Sequence, residues 1–321
     1  MMKPDSSFMV FAGSSHEELA EKVASELQVP LGKVLRETFP DGEIGIQIQE
    51  NVRGKDVFVL QMLARRPNHY LMELLIMVDA LKRASVRSVT AVLPYYAYGR
   101  QDRKDKGRVP ITAKLVANLL EKAGVTRVMT MDLHTEQIQG FFDIPVDHLY
   151  ARTLFIRTIQ NLGLKDLVVV SPDVGSNKMA RRFAEDLKVD LAIVDKRRVN
   201  STRVEVNAVI GDVKGKHVLL VDDICSTGST LKTAAIACLE AGATGVDALV
   251  THGLFVGDGL KESRIGRLFV TDTIPAPEEK QDVRLVIVSA APLLAEAIDC
   301  VVKAKSVSSL FSEVRCFAFK S

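Results

Sequence analysis

Three kinds of signal are missing from this chain, and each absence removes a class of function. Its four cysteines (Cys225, Cys238, Cys300 and Cys316) follow no CxxC or metal-ligand spacing, which speaks against a thiolate metal site and for reduced cytosolic thiols. The opening Met1–Ser7 segment has no apolar core of the kind a signal peptide needs, and no apolar run reaches the roughly 18 residues of a membrane helix. Formal charge is also close to balance, at +2, so no global electrostatic case exists for nucleic acid or a membrane as partner. No segment is low-complexity and no internal repeat is strong enough to prove duplication. The expectation is a cytoplasmic globular protein.

The 321 residues suit two domains of about 150 residues each better than one. A hydrophobic fraction of 47% supports substantial cores, and a charged fraction of 26% supports a soluble surface. Apolar runs at Phe8–Phe11, Asp56–Gln61, Ser88–Leu93, Arg127–Met131, Leu167–Ser171, Leu191–Asp195, His217–Val221, Gly245–Thr251 and Leu285–Val288 read as strands. They are continuous rather than alternating, the pattern of parallel strands covered on both faces. Between them, His16–Leu27, Leu71–Ala84, Ile111–Ala123, Lys178–Leu187 and Leu231–Ala241 carry helical spacing, with Gly stops at Gly124 and Gly242. Such alternation predicts an α/β protein of two similar doubly wound parallel-sheet domains. We expect an N-terminal domain over 1–148, a C-terminal domain over 149–303, and a helix and tail over 304–321 packed on the first domain. Val256 to Glu279, rich in Gly, Pro and charge, reads as loop.

Chemistry concentrates in Val218–Leu231. An apolar strand there ends in Asp222 and Asp223, and the loop Ser226-Thr227-Gly228-Ser229-Thr230 opens a helix. Hydroxyls and backbone N–H groups at a helix N-terminus attract an anion. Paired carboxylates at the carboxyl end of a strand can accept from hydroxyls or hold a divalent cation. Phosphate on one side and hydroxyls on the other describe a sugar phosphate.

Four other clusters leave strand ends. Phe39-Pro-Asp41-Gly-Glu43 is a turn-forming sequence in which a ring stands beside two acids, suited either to a plain hairpin or to a nucleotide base. Arg100-Gln101-Asp102-Arg103 lies in a basic loop after Leu93, and guanidinium forks fit phosphoryl oxygens. His134 and Asp173 follow two further strands, where a histidine serves either as a structural residue or as a ligand. Lys196 and Arg198 alternate after Leu191–Asp195 and could neutralise charge during phosphoryl transfer.

In this order the motifs resemble the ribose-phosphate diphosphokinase (PRPP synthetase) family, whose signature loop is shared with phosphoribosyltransferases. The resemblance runs from Phe11-Ala-Gly13 to the Asp222 loop. It implies phosphoribosyltransferase-like domains and transfer of the diphosphoryl group of ATP to the C1 hydroxyl of ribose 5-phosphate, giving PRPP and AMP with Mg²⁺. It further implies that Phe39 stacks on adenine from a neighbouring subunit, with Asp41 and Glu43 close by, and that Arg100, Gln101, Asp102 and Arg103 meet ATP. His134 and Asp173 would serve the metal, and Lys196 and Arg198 the transferring group. Asp222 and Asp223 would hold the ribose hydroxyls and metal, and Ser226 to Thr230 the 5-phosphate. A homo-oligomer, a hexamer by resemblance, would be the active form.

The chain departs from the family pattern at three places. Ser226 and Ser229 stand where an Asp and a Gly are usual, and Ser229 then demands an ordinary backbone conformation. Gly175-Ser176 replaces Gly-Gly after Asp173, and Met179 replaces a frequent Arg, which removes one phosphate contact. The alternatives are a phosphoribosyltransferase, which would lack the Arg100–Arg103 and Phe39–Glu43 motifs, and a non-catalytic regulatory homologue. The latter would lose active-site residues, whereas His134, Lys196, Arg198, Asp222 and Asp223 are all present.

Overall fold

The computed structural model describes residues 7–198, 204–276 and 284–311, with the backbone alone for 196–198 and 204–207. It divides into two compact units, Met1–Tyr150 with Ala290–Ser321, and Ala151–Ser289.

The first unit begins with β1 (Phe8–Ala12) and α1 (Glu17–Leu27), followed by a hairpin of β2 (Val34–Thr38) and β3 (Ile44–Ile48). Then come β4 (Asp56–Leu60), α2 (Pro67–Arg83), β5 (Ser88–Leu93), α3 (Thr112–Ala123), β6 (Arg127–Met131) and β7 (Val146–Leu149). A five-stranded parallel sheet forms in the order β1-β4-β5-β6-β7. A parallel bridge between Val10 and Leu31 continues it past β1, so the chain leaves β1 in one direction and resumes at β4 in the other. With right-handed crossovers, that reversal places helices on both faces. The continuous apolar strands are accordingly buried along nearly their whole length, as in Val57–Leu60 and Val89–Leu93.

The second unit runs α4 (Arg152–Asn161), β8 (Leu167–Ser171), α5 (Asn177–Leu187), β9 (Asp190–Arg198), β10 (Val204–Ile210), β11 (His217–Cys225), α6 (Ser229–Glu240), β12 (Gly245–Gly253), β13 (Arg267–Thr271) and β14 (Arg284–Val288). Its seven strands lie in the order β10-β9-β8-β11-β12-β13-β14, with only the β9–β10 pair antiparallel. From β8 the chain winds to β9 on one side. From β11 it winds to β12 on the other, so the switch point lies between β8 and β11. Val168, Val170, Leu220, Val250 and Val270 share one core cluster there. The expected fold class, two doubly wound α/β units, is what forms.

Several local expectations fail. The supposed loop Val256–Glu279 contains β13, because Leu268-Phe269-Val270 is a short apolar run that pairs with β12 and β14 and is fully buried. The last helix, expected near Ala304–Phe311, is one 3-10 turn, Val307–Leu310. After β14 the chain continues as α7 (Ala291–Val302), which is grouped with the first unit because its apolar face packs on α1. The sequence division had kept 149–303 together. The three cysteines among the described residues, Cys225, Cys238 and Cys300, are free and buried. No helix among the described residues is long and apolar enough to cross a membrane.

Candidate active site

At the switch point of the second unit, the loops after β8 and β11 leave the carboxyl ends of adjacent strands, the usual ligand position in an open α/β sheet. The first loop is shaped by Asp173. Its Oδ1 accepts from the backbone N–H of Gly175 at 2.9 Å and of Ser176 at 3.2 Å, while Ser171 Oγ donates to the Asp173 carbonyl at 2.6 Å. The chain turns there and α5 begins. Asn177 Oδ1, in the first turn, is one of two buried polar side-chain atoms without a hydrogen-bond partner among the described residues.

The second loop carries the acidic pair. Asp222 is 7% exposed and Asp223 half-buried. Asp222 Oδ1 accepts from the Asp223 backbone N–H at 3.0 Å and from Ser176 Oγ at 2.6 Å, so the two loops are tied together. Burial, with the like charge of Asp223, pushes the Asp222 carboxyl well above the usual carboxylate range. The Ser176 hydrogen bond works against that rise and the charge of Asp173 adds to it. Three acids this close to one another form a site that gains from a cation or from hydroxyl donors.

Beyond Asp223 the chain passes through Cys225, whose thiol is pushed up to about 12 by burial and by Asp222. That thiol stays protonated and unreactive at neutral pH. Gly228 is the N-cap of α6 with φ 86°, a conformation that only glycine adopts without strain, and Leu260 lies against it. Ser229 is the first helical residue and takes no positive φ, so the departure from glycine is accommodated by Gly228 one position earlier. Thr227 Oγ1 accepts from the Ser229 N–H at 3.3 Å and lies 3.0 Å from Ser229 Oγ. The loop after β12 clasps this turn from behind: Leu254 and Phe255 donate to the Cys225 carbonyl and Val256 to the Ser226 carbonyl, at 2.8–3.3 Å. The result is a hydroxyl-rich, dipole-positive turn held rigidly beside two carboxylates.

Lys196 and Arg198 were expected just past a strand end. β9 instead continues through both, because β10 pairs with it to Arg198 in an antiparallel extension. Their side chains lie outside the described residues.

In the first unit, Phe39–Glu43 closes the β2–β3 hairpin. Phe39 N donates to the Glu43 carbonyl at 2.8 Å, Gly42 N to the Phe39 carbonyl at 2.8 Å, and Glu43 N to Asp41 Oδ1 at 3.2 Å. The turn is built by its own backbone, so Phe39, 44% exposed, is not needed to hold it. An exposed ring on a self-sufficient turn is available for a ligand.

The loop after β5 reverses at Tyr98, with φ 62°, where Gln101 N donates to the Tyr98 carbonyl. Tyr95 and Tyr96 are buried, and Tyr96 Oη donates to the Ala113 carbonyl at 2.8 Å, so two of the three tyrosines are structural. Gln101 accepts from Thr112 Oγ1, whereas Arg100 and Arg103 are exposed. Asp102 accepts from Thr135 Oγ1 at 2.9 Å and thereby joins this loop to the one after β6. That second loop starts at Asp132, buried at φ 35°, an energetically costly backbone for a non-glycine residue. Leu133 N donates to His148 Nε2 at 3.0 Å, and His134 stands exposed on the next position.

Within the second unit the structure thus gathers Asp173, Asp222, Asp223 and Ser226–Thr230, and within the first it gathers Arg100–Arg103 with His134. Sequence reasoning noted Ser176 only as a departure from glycine. Its bond to Asp222 spans 46 positions and leaves no local signal. The 254–260 clasp was missed with β13.

Comparison with known proteins agrees with this geometry. Residues 8–124 match the N-terminal domain of ribose phosphate pyrophosphokinase, and residues 146–285 match the phosphoribosyl transferase domain. The ribose-phosphate pyrophosphokinase of Corynebacterium ammoniagenes is 49% identical over 311 residues, covering 96% of this chain and 98% of its own. That of Caldanaerobacter subterraneus subsp. tengcongensis is 50% identical over 316 residues, covering 97% and 100%. The crystal structure of phosphoribosylpyrophosphate synthetase from Mycobacterium smegmatis superposes with a TM-score of 0.87 at 43% identity, over 92% of this chain and 99% of that one. With two matched domains in order and near-full-length identity of about half, the chain belongs to the ribose-phosphate pyrophosphokinase family.

Proposed function

We propose that the chain transfers the β,γ-diphosphoryl group of ATP to the C1 hydroxyl of ribose 5-phosphate, giving PRPP and AMP. The observation that carries this reading is the switch point of the second unit, where the buried Asp222 and the half-buried Asp223 stand beside a hydroxyl turn at a helix N-terminus. Asp222 and Asp223 accept from the ribose hydroxyls, and Ser226, Thr227, Gly228, Ser229 and Thr230 cradle the 5-phosphate. The C1 hydroxyl oxygen attacks the β-phosphorus in line. A new O–P bond forms, the bond to the α-phosphate oxygen breaks, AMP leaves, and the hydroxyl proton is released.

No side-chain nucleophile is required, so positioning and charge neutralisation supply the rate. Lys196 and Arg198 offset charge on the transferring group. Phe39 stacks on adenine beside Asp41 and Glu43, and Arg100, Gln101, Asp102 and Arg103 hold the nucleotide. The crowded carboxylates fit Mg²⁺, a hard cation that takes one or two carboxylates and completes its shell with phosphate and water. Among the described residues no group of three or more His, Cys, Asp or Glu is placed to hold a metal ion by itself. Asp173, with Asp222 and Asp223, and His134 in the first unit are the residues we assign to metal, which would neutralise the polyphosphate.

A homo-oligomer, by family resemblance a hexamer, is supported by an apolar row along α3 and its N-cap: Ile111, Leu115 and Leu119 are 36%, 53% and 40% exposed at four-residue spacing. The free, buried cysteines suit a reducing cytoplasm. No observation favours the non-catalytic reading.

The test is to combine the purified protein with ATP, Mg²⁺ and ribose 5-phosphate and measure both products. Sugar-dependent AMP formed in equal amount to PRPP is expected. AMP without PRPP, or no product, would overturn the reading.

A further inference from the structure

Ser176 occupies the N-cap of α5, a position where a serine hydroxyl ordinarily caps the N–H of the second or third helical residue. Here it makes no such bond. A hydroxyl has one proton to donate, and the acceptor at 2.6 Å is Asp222 Oδ1. Asp173 Oδ1 also lies near, at 3.2 Å, but it is already served by the N–H groups of Gly175 and Ser176. The hydroxyl proton therefore belongs to Asp222. Ser176 is 9% exposed, so water does not compete for that proton.

From these contacts we propose that Ser176 is a positioning residue for the sugar substrate, fixing the rotation of the Asp222 carboxylate across the switch point. With Oδ1 clamped between the Ser176 hydroxyl and the Asp223 N–H, the carboxylate plane is set before the ribose arrives. Preorganisation of this kind lowers the ordering cost at binding and is read in substrate affinity. The bond joins the loop after β8 to the end of β11, so Ser176 also holds Asp173 at constant distance from the acid pair. This inference rests on the assignment of Asp222 to the ribose hydroxyls.

The experiment compares wild type, Ser176→Ala, Ser176→Thr and Asp222→Asn, full length, in steady-state formation of PRPP. Leaving the buried Asp222 oxygen without this partner predicts a rise of roughly tenfold in KM for ribose 5-phosphate for Ser176→Ala. Its KM for ATP stays near wild type, its melting temperature falls by only a few degrees since no helix cap is lost, and kcat changes far less than KM. Ser176→Thr, which keeps the hydroxyl, restores most of the affinity. An unchanged sugar KM in Ser176→Ala, equal rises for sugar and ATP, or a threonine variant no better than alanine would each overturn the proposal. If Ser176→Ala is silent while Asp222→Asn raises the sugar KM, only the role of Ser176 falls. If Asp222→Asn is silent too, or wild type forms no PRPP, the reading beneath it falls as well.

Discussion

Replacing Gly228 by alanine should separate the two functions of the hydroxyl turn, its backbone conformation and its packing. Gly228 has φ 86°, and a Cβ built there would lie 2.5 Å from Leu260 Cγ and 2.7 Å from Cδ2. A left-handed non-glycine residue costs about 1–2 kcal/mol. Leu260 is 2% exposed and has nowhere to move, so overpacking adds about 1–3 kcal/mol. Together these give about 2–5 kcal/mol, or roughly 4–20 °C in Tm for a unit of this size. Gly257 is the control: its φ is 78°, yet nothing lies within 4 Å of its missing Cβ. Gly257→Ala should therefore lose only the conformational part, about 1–2 kcal/mol. The smaller entropy of the unfolded chain favours both variants alike and cancels in the comparison. Differential scanning calorimetry should place Gly228→Ala below Gly257→Ala by roughly 2–12 °C. Only Gly228→Ala should raise the KM for ribose 5-phosphate. Equal melting temperatures would show that Leu260 does not clasp the turn, and an unchanged KM would show that the turn does not hold the sugar phosphate.

Three further outcomes are expected. Lys196→Ala should lower PRPP formation by about 100- to 1,000-fold, the usual effect of removing one preorganised charge-stabilising group, while sedimentation velocity shows the same assembly; unchanged turnover would remove Lys196 from the transfer. Asp222→Asn should raise the KM for ribose 5-phosphate by about 10- to 100-fold with ATP binding preserved, and equal loss of both would reassign that carboxylate. The third concerns Asp247, 2% exposed, which accepts from Arg267 Nε, Nη2 and N and pairs with His217 Nε2 at 2.9 Å. Burial alone would push its carboxyl up, but the hydrogen bonds from His217 and Arg267 outweigh burial and hold it below its ordinary range. A folded pKa below the unfolded one adds stability that is complete above about pH 4 and is lost as pH falls through the folded value. Breaking this buried pair with Asp247→Asn should cost about 3 kcal/mol at pH 7, and its gap from wild type in urea titrations should narrow as pH falls below about 4; a gap constant with pH would refute the sign.

The sequence by itself determined the architecture and the family. Continuous Val/Ile/Leu runs alternating with helical patterns point to parallel sheets covered on both faces, and an acid pair followed by Ser-Thr-Gly-Ser-Thr is a local pattern whose chemistry is complete within a dozen residues. Strand-end loops such as Phe39–Glu43 and Arg100–Arg103 were legible for the same reason, since turn chemistry and charge are written in adjacent positions. Tertiary structure decided what depends on pairing. The short run Leu268–Val270 became a strand because β12 and β14 pair with both its edges, not because its neighbours are apolar. β9 extends through Lys196 because β10 offers its backbone a partner. α7 is grouped with the first unit because α1 presents it an apolar face. Ser176 reached Asp222 because the order of strands set β8 beside β11, a neighbourhood that no spacing along the chain records.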